Sequence, residues 1–315
     1  MVSYSIAIPN FNGSKFLSAC LKSLLSSLKH AKIQTFEIIL IDNASSDDSP
    51  QLFLEFIRKN KIKRHRLIRL DRNYGFSKAV NTGIQSAKYK HIVLLNNDIV
   101  FDRQWFYFIT KNIQSNPHRR VAVFSGTILN YDGSKYESQG LSYQYSGKCL
   151  NINNQKPFTP RSLDHLPPST VWGSSAAVAV YRRQIFDHVG MFDEDFFAYE
   201  EDVDLCLRLN NSGYKTLYIP QAIAYHYGGG TSSTMGNFRQ RMDAKNWFYI
   251  IIKNYRLSDL IKNLPAIFLE RLRNLSGLIK ATPPRDILPS LISTYFTVIA
   301  NFPRMIKKRQ INEKK

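Results

Sequence analysis

The sequence predicts an α/β protein built on a mostly parallel central sheet with flanking helices. In the first hundred residues, apolar runs of strand length alternate with segments whose apolar residues recur at helical spacing. Connections between these segments are short, and several apolar runs end in Asn- and Asp-rich turns. A β-α-β-α-β-α-β series of this kind predicts parallel strands covered on both faces, with right-handed crossovers.

Four strands are predicted in this first half, over residues 4–8, 36–41, 65–70 and 91–95. Ser14 is expected to cap the helix that follows the first strand. The second half is predicted to contain a helix and strand, an irregular segment, a strand, a helix and two short strands, over residues 104–116, 121–128, 130–170, 171–181, 201–210, 215–219 and 222–226. The irregular segment exceeds ordinary connection lengths, which favours a substrate-facing insertion or a mobile lid.

The chain has 315 residues, 43 Lys and Arg, 24 Asp and Glu, and a net charge of +19. Residues 241–315 contain 15 of the basic and 5 of the acidic residues, together with apolar residues at three- and four-residue steps. This pattern predicts a basic amphipathic helix pair interrupted at Pro265 and a second such stretch from Ile287. Such helices can lie in a membrane interface or pack on the main domain with their basic faces in solvent.

Three other features of the sequence bear on the cellular compartment in which the protein is expected. No uninterrupted apolar run reaches about 18–20 residues, so we expect no membrane-spanning helix. The chain enters a strand-like run at Tyr4, so we expect no secretory signal. The three cysteines are widely spaced without a CxxC pair, which fits a reducing compartment and disfavours a disulfide framework or a zinc site.

Polar residues at two predicted strand ends and in one loop suggest a nucleotide site. Asp42 and Asn43 end the second strand, where a carboxylate can hold a ribose hydroxyl or a base; the alternative is a helix-capping turn. The loop 72–76 supplies a cation, an amide and a glycine before a helix, an arrangement that suits phosphate but also fits an ordinary turn. Asp98 ends the fourth strand and offers oxygen ligands for Mg²⁺ or Mn²⁺, unless it belongs to a plain loop cluster.

The acidic cluster 200–204 lies among apolar residues, so at least one carboxylate is expected to be desolvated and to have a raised pKa. We assign Asp202 as the base that deprotonates an acceptor hydroxyl. Glu200 and Glu201 could instead cap the following helix, and Asp204 is expected to pair with Arg208. His226 ends a strand and is either a packed core residue or a metal or phosphate ligand.

Together these stretches resemble family 2 inverting glycosyltransferases of GT-A fold, in particular their rhamnosyltransferase-like branch. The matching stretches occur in family order over roughly residues 3 to 235: Ile8-Pro9-Asn10-Phe11-Asn12, Ile41-Asp42-Asn43-Ala44-Ser45-Ser46-Asp47, Asn73-Tyr74-Gly75-Phe76, Leu95-Asn96-Asn97-Asp98, Trp172-Gly173-Ser174-Ser175, Phe192-Asp193-Glu194-Asp195-Phe196-Phe197, Glu201-Asp202-Val203-Asp204-Leu205-Cys206-Leu207-Arg208 and His226-Tyr227-Gly228-Gly229. Asn96 stands where a strict DxD motif has its first aspartate.

The resemblance implies a nucleotide-diphosphate sugar donor, a divalent cation (Mg²⁺ or Mn²⁺) and single displacement with inversion. It implies three groups of site residues: for the donor Pro9, Asn10, Asn12, Asp42, Asn43, Arg72, Asn73, Gly75, Phe76, Asn97 and Asp98; for catalysis Asp202 and Glu201; for the sugar or acceptor pocket Trp172, Gly173, Ser174 and Glu200. Asp98 and His226 are the expected metal ligands.

The expected organisation is a transferase domain over residues 1–240 and a basic tail over residues 241–315. The expected partners are a glycan or lipid-linked oligosaccharide acceptor and an anionic membrane surface, with the protein cytoplasmic and peripheral on the inner face of the cell membrane. Nucleic acid is not expected, because the basic residues flank an amphipathic stripe rather than an aromatic-studded groove. A non-catalytic nucleotide-sugar or glycan-binding protein is the alternative, although the intact Glu201-Asp202 pair argues against it.

Overall fold

A computed structural model describes residues 2–117, 120–159, 162–228 and 236–313, with side chains as far as Arg309. The strands are β1 Tyr4–Asn10, β2 Phe36–Asp42, β3 His65–Arg69, β4 His91–Leu95, β5 Ile99–Phe101, β6 Val121–Asn130, β7 Tyr136–Ser138, β8 Leu141–Gln144, β9 Lys148–Asn151, β10 Ser169–Val171, β11 Val178–Arg182 and β12 Lys215–His226. The helices are α1 Ser14–His30, α2 Ser49–Lys59, α3 Gly75–Ser86, α4 Trp105–Ser115, α5 Ile185–Val189, α6 Glu201–Asn211, α7 Phe238–Asn254, α8 Leu257–Lys280 and α9 Ile287–Glu313.

The main sheet has the strand order β10-β12-β6-β11-β4-β1-β2-β3. Strands β4, β1, β2 and β3 are parallel neighbours, whereas β11 runs antiparallel between β4 and β6. The predicted mostly parallel α/β fold is therefore confirmed. Because β1, β2 and β4 point the same way, the polar residues that follow them meet at one edge of the sheet.

Helices cover both faces of the sheet, which explains why its central strands are almost wholly apolar. On one face, Leu17, Leu21 and Leu24 of α1 pack against Ile6 and Ile8 of β1 in one buried cluster. On the other face, residues of α3 and α5 pack with alternate residues of the same strands in a second cluster. The two clusters hold the sheet as a rigid support for its polar edge.

The predicted strand 171–181 is wrong as a single element. It divides into β10, which pairs with β12, and β11, which pairs with β4 and β6. The residues between them cross the polar edge, and Gly173 lies so close to α6 that a Cβ there would be 2.6 Å from Cys206 Sγ. A residue larger than glycine at this position would therefore collide with α6.

Two other expected boundaries are also wrong. The two short strands 215–219 and 222–226 form the single strand β12, whose pairing with β6 shifts register between Ile219 and Ile223. Gly126 permits the shift, since a Cβ there would lie 1.9 Å from Ala222 O. Ser14 begins α1 rather than capping it; its N–H donates to Asp47 Oδ2 at 2.8 Å.

The irregular segment 130–170 contains short strands, and the prolines of the tail do not end its helices. Strands β8 and β9 form a separate antiparallel pair within the segment. Pro265 lies inside α8, so the predicted interruption is wrong, and Pro303 lies inside α9. Pro265 is exposed, so water can satisfy the carbonyl that loses its hydrogen bond. Within the described ranges, no helix is long and apolar enough to cross a membrane.

The segment 241–315 contacts the rest of the chain through a shared apolar cluster. Trp247, Tyr249 and Ile250 of α7 pack against Phe196 and against Val203 of α6. Residues of α8 and α9 complete the cluster, among them Ile267, Val298 and Met305. The division at residue 240 remains a prediction, but α7 packs against α6 and the segment that precedes it rather than standing apart from the rest of the chain.

A buried ion network joins the tail to the segment before α6. Lys253 of α7 lies 2.8 Å from both Asp193 Oδ2 and Asp204 Oδ2. Arg208 also pairs with Asp204 at 2.8 Å, which confirms the predicted pair, and Lys308 of α9 contacts Asp193. Burial raises the pKa of Asp193, but Lys253 and Lys308 outweigh it, so the net shift is downward.

Replacing Lys253 by Met should lower the free energy of unfolding by about 3–5 kcal/mol, because it leaves Asp193 and Asp204 buried with one partner fewer. Urea denaturation near neutral pH measures the change, with the exposed Lys262→Met in α8 as control. The stabilisation is present above the pKa of an unfolded aspartate and is lost as the pH falls toward the depressed pKa of Asp193. Equal unfolding free energies for the two variants would contradict the prediction.

Candidate active site

The loops after β1, β2 and β4 are tied together by amide side chains. Asn10 Oδ1 accepts a hydrogen bond from Asn97 Nδ2 at 2.7 Å, and Asn10 Nδ2 donates to Ser49 Oγ at 2.8 Å. Asn12 Oδ1 accepts from Ser46 N at 2.8 Å. The predicted donor residues of these loops therefore lie together at the edge, next to Pro9 in β1.

The loop before α3 closes this group on the other side. Asn43 Nδ2 donates to Asn73 Oδ1 at 2.8 Å, and Tyr74 N donates to Asn43 Oδ1 at 2.9 Å. Asp42 is buried beside Asn43. Phe76 follows in α3 and packs against the second apolar cluster, whereas Arg72 is exposed and stacks on the ring of Tyr74 at 4.6 Å.

Gly75 has a φ of +84°, and a Cβ there would lie 2.4 Å from Phe197 O. The N–H of Ser77 donates to the same carbonyl at 3.2 Å. The loop 72–76, called the donor loop here because donor binding is predicted for it, therefore touches the segment that leads into α6. A glycine is required at the contact because any larger residue would collide with backbone.

Asp98 and His226, the two residues predicted as metal ligands, are in contact. His226 Nε2 lies 3.1 Å from Asp98 Oδ1, and His226 Nδ1 lies 2.7 Å from Glu137 Oε1. Burial lowers the pKa of His226, but the two carboxylates outweigh it and raise the pKa to about 10. Glu137, in β7, was not foreseen from the sequence because nothing in its local pattern marks it.

This donor set suits a divalent cation that takes its remaining ligands from a diphosphate. Mg²⁺ and Mn²⁺ accept one or two carboxylates together with substrate oxygens, and Asp98 supplies one carboxylate. In the described ranges, no group of three or more His, Cys, Asp or Glu side chains could hold a metal by itself. Asp98, with His226 once its proton is lost, would complete a site only with substrate.

Asp202 lies in the first turn of α6, over the segment 172–177. Its Oδ2 accepts a hydrogen bond from Ala176 N at 3.2 Å, and its Oδ1 accepts from Val203 N at 2.8 Å. Burial raises the pKa of Asp202 above its ordinary value, although these N–H groups oppose the shift. A carboxylate in this state is a suitable proton acceptor.

Three further carboxyl groups surround Asp202. Glu201 is buried, and its Oε2 has no hydrogen-bond partner among the described residues. Burial and the neighbouring carboxylates raise the pKa values of Glu200 and Glu201 well above normal. Asp243 of α7 influences both glutamates, and burial raises its own pKa to about 6. The sequence did not mark Asp243, because it lies in a helix whose pattern suggested only a membrane-facing tail.

Glu200 is the N-cap residue of α6, but its side chain makes no capping hydrogen bond. Its φ is +64°, and Phe197 and Tyr199 have φ values of +66° and +67°. Left-handed backbone costs about 1–3 kcal/mol at each such residue and persists only where the surroundings enforce it. Strain is therefore concentrated in the four residues before the Glu201-Asp202 pair.

Aromatic rings form a wall beside this acidic cluster. Trp172 stacks on Tyr143 of β8, with ring centroids 4.7 Å apart and planes inclined by 11°. Trp247 of α7 lies 6.3 Å from the Tyr143 ring. Ser174 is buried behind the wall, next to Gly173. The predicted pocket residues are thus brought to the same region as Asp202, and Tyr143 and Trp247 are additions that the sequence pattern did not reveal.

The fold and the clustered polar edge define an α/β protein of the GT-A class, which binds its ligand beyond the carboxyl ends of parallel strands. A model of the family described as "Glycosyl transferase family 2" matches residues 5–190. The chain therefore belongs to glycosyl transferase family 2.

Known relatives agree with this assignment. Poly-beta-1,6-N-acetyl-D-glucosamine synthase of Staphylococcus aureus (strain COL) is 23% identical over 270 residues, covering 84% of this chain and 61% of that protein. The chain thus spans less than two thirds of that relative. Among solved structures, GalNAc-T7 with UDP, GalNAc and Mn²⁺ has a TM-score of 0.60 at 18% identity, covering 80% of this chain and 48% of that one. The mannosyltransferase PcManGT of Pyrobaculum calidifontis with GDP-Man and Mn²⁺ has a TM-score of 0.58 at 12% identity, covering 98% and 84%.

Replacing Gly75 by Ala should lower the free energy of unfolding by more than about 1 kcal/mol, because the added Cβ would meet Phe197 O in a left-handed backbone. Gly277→Ala is the matched control: it lies in α8 with nothing within 4 Å of the added Cβ, and should stabilise by about 0.5–1 kcal/mol. Urea denaturation of both variants measures the difference. The steric argument fails if Gly75→Ala is as stable as the native chain.

Proposed function

We propose that this protein is an inverting glycosyltransferase that moves a hexose, rhamnose or a similar sugar, from a nucleotide-diphosphate donor to a hydroxyl of a glycan acceptor. The observation that carries the proposal is the contact between the donor loop, residues 72–76, and the segment 196–200, which leads to the proposed base Asp202. The Phe197 carbonyl sits on Gly75 and Ser77, so the residues that would bind the donor and the carboxylate that would activate the acceptor share one rigid junction.

The proposed donor site uses the polar edge of the sheet. Asp42, Asn43 and Asn73 would hold the nucleoside, with Asn10, Asn12 and Asn97 fixing the loops around it. Asp98 and His226 would hold a divalent cation, Mg²⁺ or Mn²⁺, which when bound would neutralise charge on the leaving diphosphate. The Mn²⁺ complexes of two structural relatives support a divalent cation of this kind.

In the proposed reaction, Asp202 accepts the proton of the acceptor hydroxyl. The oxygen then forms a bond to the anomeric carbon from the side opposite the diphosphate, and the nucleoside diphosphate leaves with the electrons of the broken bond. One displacement inverts the configuration. The raised pKa of Asp202 favours proton transfer, and its hydrogen bond from Ala176 N fixes the carboxylate's orientation. Glu201 would remain protonated beside it, because two carboxylates cannot both ionise cheaply there.

The proposed acceptor is a lipid-linked glycan at the inner face of the cell membrane, where the protein would be peripheral and cytoplasmic. Helices α8 and α9 expose apolar side chains at helical spacing: Leu257, Ile261, Leu264, Phe268 and Leu272 on α8, and Leu288, Ile292, Phe296 and Ile299 on α9. Exposed Lys262, Arg273 and Lys280 flank the α8 stripe. Apolar stripes with cationic borders suit an anionic membrane surface.

Replacing Asp202 by Asn should lower kcat by about 10²–10⁴-fold while the donor Kd stays within a few-fold of the native value, because the amide cannot accept the proton. Sugar transfer is measured with a panel of nucleotide-sugars, with Mg²⁺ or Mn²⁺, and donor binding by calorimetry. In the native protein, turnover should fall as pH drops through the raised pKa of Asp202, above the ordinary 3.8.

Asp187→Asn, an exposed change in α5, is the control and should leave kcat unaltered. Near-native turnover of Asp202→Asn would overturn the base assignment. A native chain that binds nucleotide-sugars but transfers none, with any acceptor, would instead favour a non-catalytic binding protein.

The double variant Phe268→Ser with Phe296→Ser should bind vesicles containing anionic lipid at least tenfold more weakly, since it interrupts both exposed stripes. Flotation across a salt series measures binding, and Leu54→Ser, an exposed change in α2, is the control. Unchanged vesicle binding by the double variant, or tighter binding of oligonucleotides than of vesicles by the native protein, would contradict the membrane assignment.

A further inference from the structure

The left-handed segment 196–200, which precedes the Glu201-Asp202 pair, is bound by one amide side chain on its side that faces α7. Asn246 of α7 is fully buried, and its Nδ2 lies 3.1 Å from Phe196 O, 2.9 Å from Ala198 O and 2.7 Å from Tyr199 O. An amide nitrogen carries two hydrogens, so three carbonyls must share them. The three carbonyls can converge on one donor only because the backbone turns left-handed at Phe197 and Tyr199.

The neighbouring residue extends this contact. Lys245 Nζ donates to Asp195 O at 3.0 Å and lies 3.4 Å from Phe196 O. On the opposite side, Phe197 O accepts from Ser77 N in the first turn of α3. The carbonyls of residues 195, 196, 198 and 199 therefore accept hydrogen bonds from α7, whereas the carbonyl of Phe197 between them accepts from α3.

The segment sets the position of Asp202 directly. Glu200 is its last left-handed residue and also the N-cap of α6, so Asp202 follows it as the second residue of the helix. If the segment relaxed, the first turn of α6 would rotate and Asp202 Oδ2 would leave Ala176 N. A displacement of about 1 Å at a reacting group can cost about 10²-fold in rate.

We propose that Asn246 is a positioning residue for the transfer reaction: its three carbonyl contacts hold residues 196–199 in the conformation that aims Asp202 at the acceptor. The predicted effect of Asn246 on kcat rests on the proposed function. It also makes α7 part of the catalytic unit, although α7 lies beyond the residues matched by the family model and inside the basic tail expected from the sequence.

The test compares Asn246→Ala with Asn254→Ala in the full-length protein. Asn254 is the same residue type on the same helix; its Nδ2 donates to Asp204 Oδ1 at 2.9 Å and to Ile250 O, and it does not bond to residues 196–199. Asn246→Ala should lower kcat about 30- to 100-fold with donor Kd within threefold of native, whereas Asn254→Ala should retain kcat within threefold. Asn246→Ser, which keeps one hydroxyl donor, should be intermediate.

Hydrogen exchange of backbone amides gives a readout that does not depend on turnover. Asn246→Ala should exchange faster at residues 197–203 than the native chain, and Asn254→Ala should not. If the native chain transfers no sugar, the proposed function fails while exchange still decides whether Asn246 holds the segment. Equal kcat and equal exchange in the two alanine variants, or a donor Kd weakened as much as kcat, would overturn the proposal.

A second variant guards against misfolding of Asn246→Ala. Lys245→Met removes the contacts to Asp195 O and Phe196 O from the same side and leaves Asn246 in place. It should lower kcat about three- to tenfold, because these carbonyls lie further from Asp202, again with donor Kd unchanged. Native kcat and native exchange at residues 197–203 in this variant would count against the proposal.

Discussion

The four residues before α6 impose the central constraint on this molecule. Phe197, Tyr199 and Glu200 all have left-handed backbone, which none of them favours, and three separate elements are needed to enforce it. The donor loop contacts the segment at Gly75, α7 binds its carbonyls through Asn246, and the ion network around Lys253 fixes Asp193 just before it. The segment before α6 is therefore contacted on one side by the loop 72–76 and α3 and on the other side by α7.

The fold was predictable because its sheet is buried on both faces. Such strands are continuous apolar runs, and β1, β2 and β4 appear in the sequence almost as they stand in the structure. Strand boundaries failed where tertiary contacts override local pattern. The mostly small residues 172–177 lie between apolar strand-like runs and contain no proline, but Gly173 pairs with Leu141 of β8 rather than with the main sheet, at a position where a Cβ would be 2.6 Å from Cys206 Sγ.

Some residues of the candidate site could also be predicted from the sequence, and others could not. Asp42, Asp98, Asp202 and His226 each lie at or beside the end of a regular element, so they could be predicted as site residues from alternation and family resemblance. Glu137, Asp243 and Asn246 could not be predicted as site residues, because each interacts with the site only through a partner far along the chain. A lone asparagine in an amphipathic helix has no local signature, and its three carbonyl acceptors exist only after the segment has turned left-handed.

Helix α7 also affects how this protein could be recombined with its relatives. A chimera that exchanged everything after residue 240 would pair one protein's base segment with another's Asn246 and Lys253, and the two would have to agree in backbone as well as in sequence. A junction placed between α7 and α8, at Tyr255 and Arg256, would keep that match and exchange the helices that bear the exposed apolar stripes, but the contacts of Lys308 and Met305 of α9 would still cross it. The part of the chain that must be kept together around the Glu201-Asp202 pair therefore includes α7, one helix beyond the boundary that the charge distribution suggests.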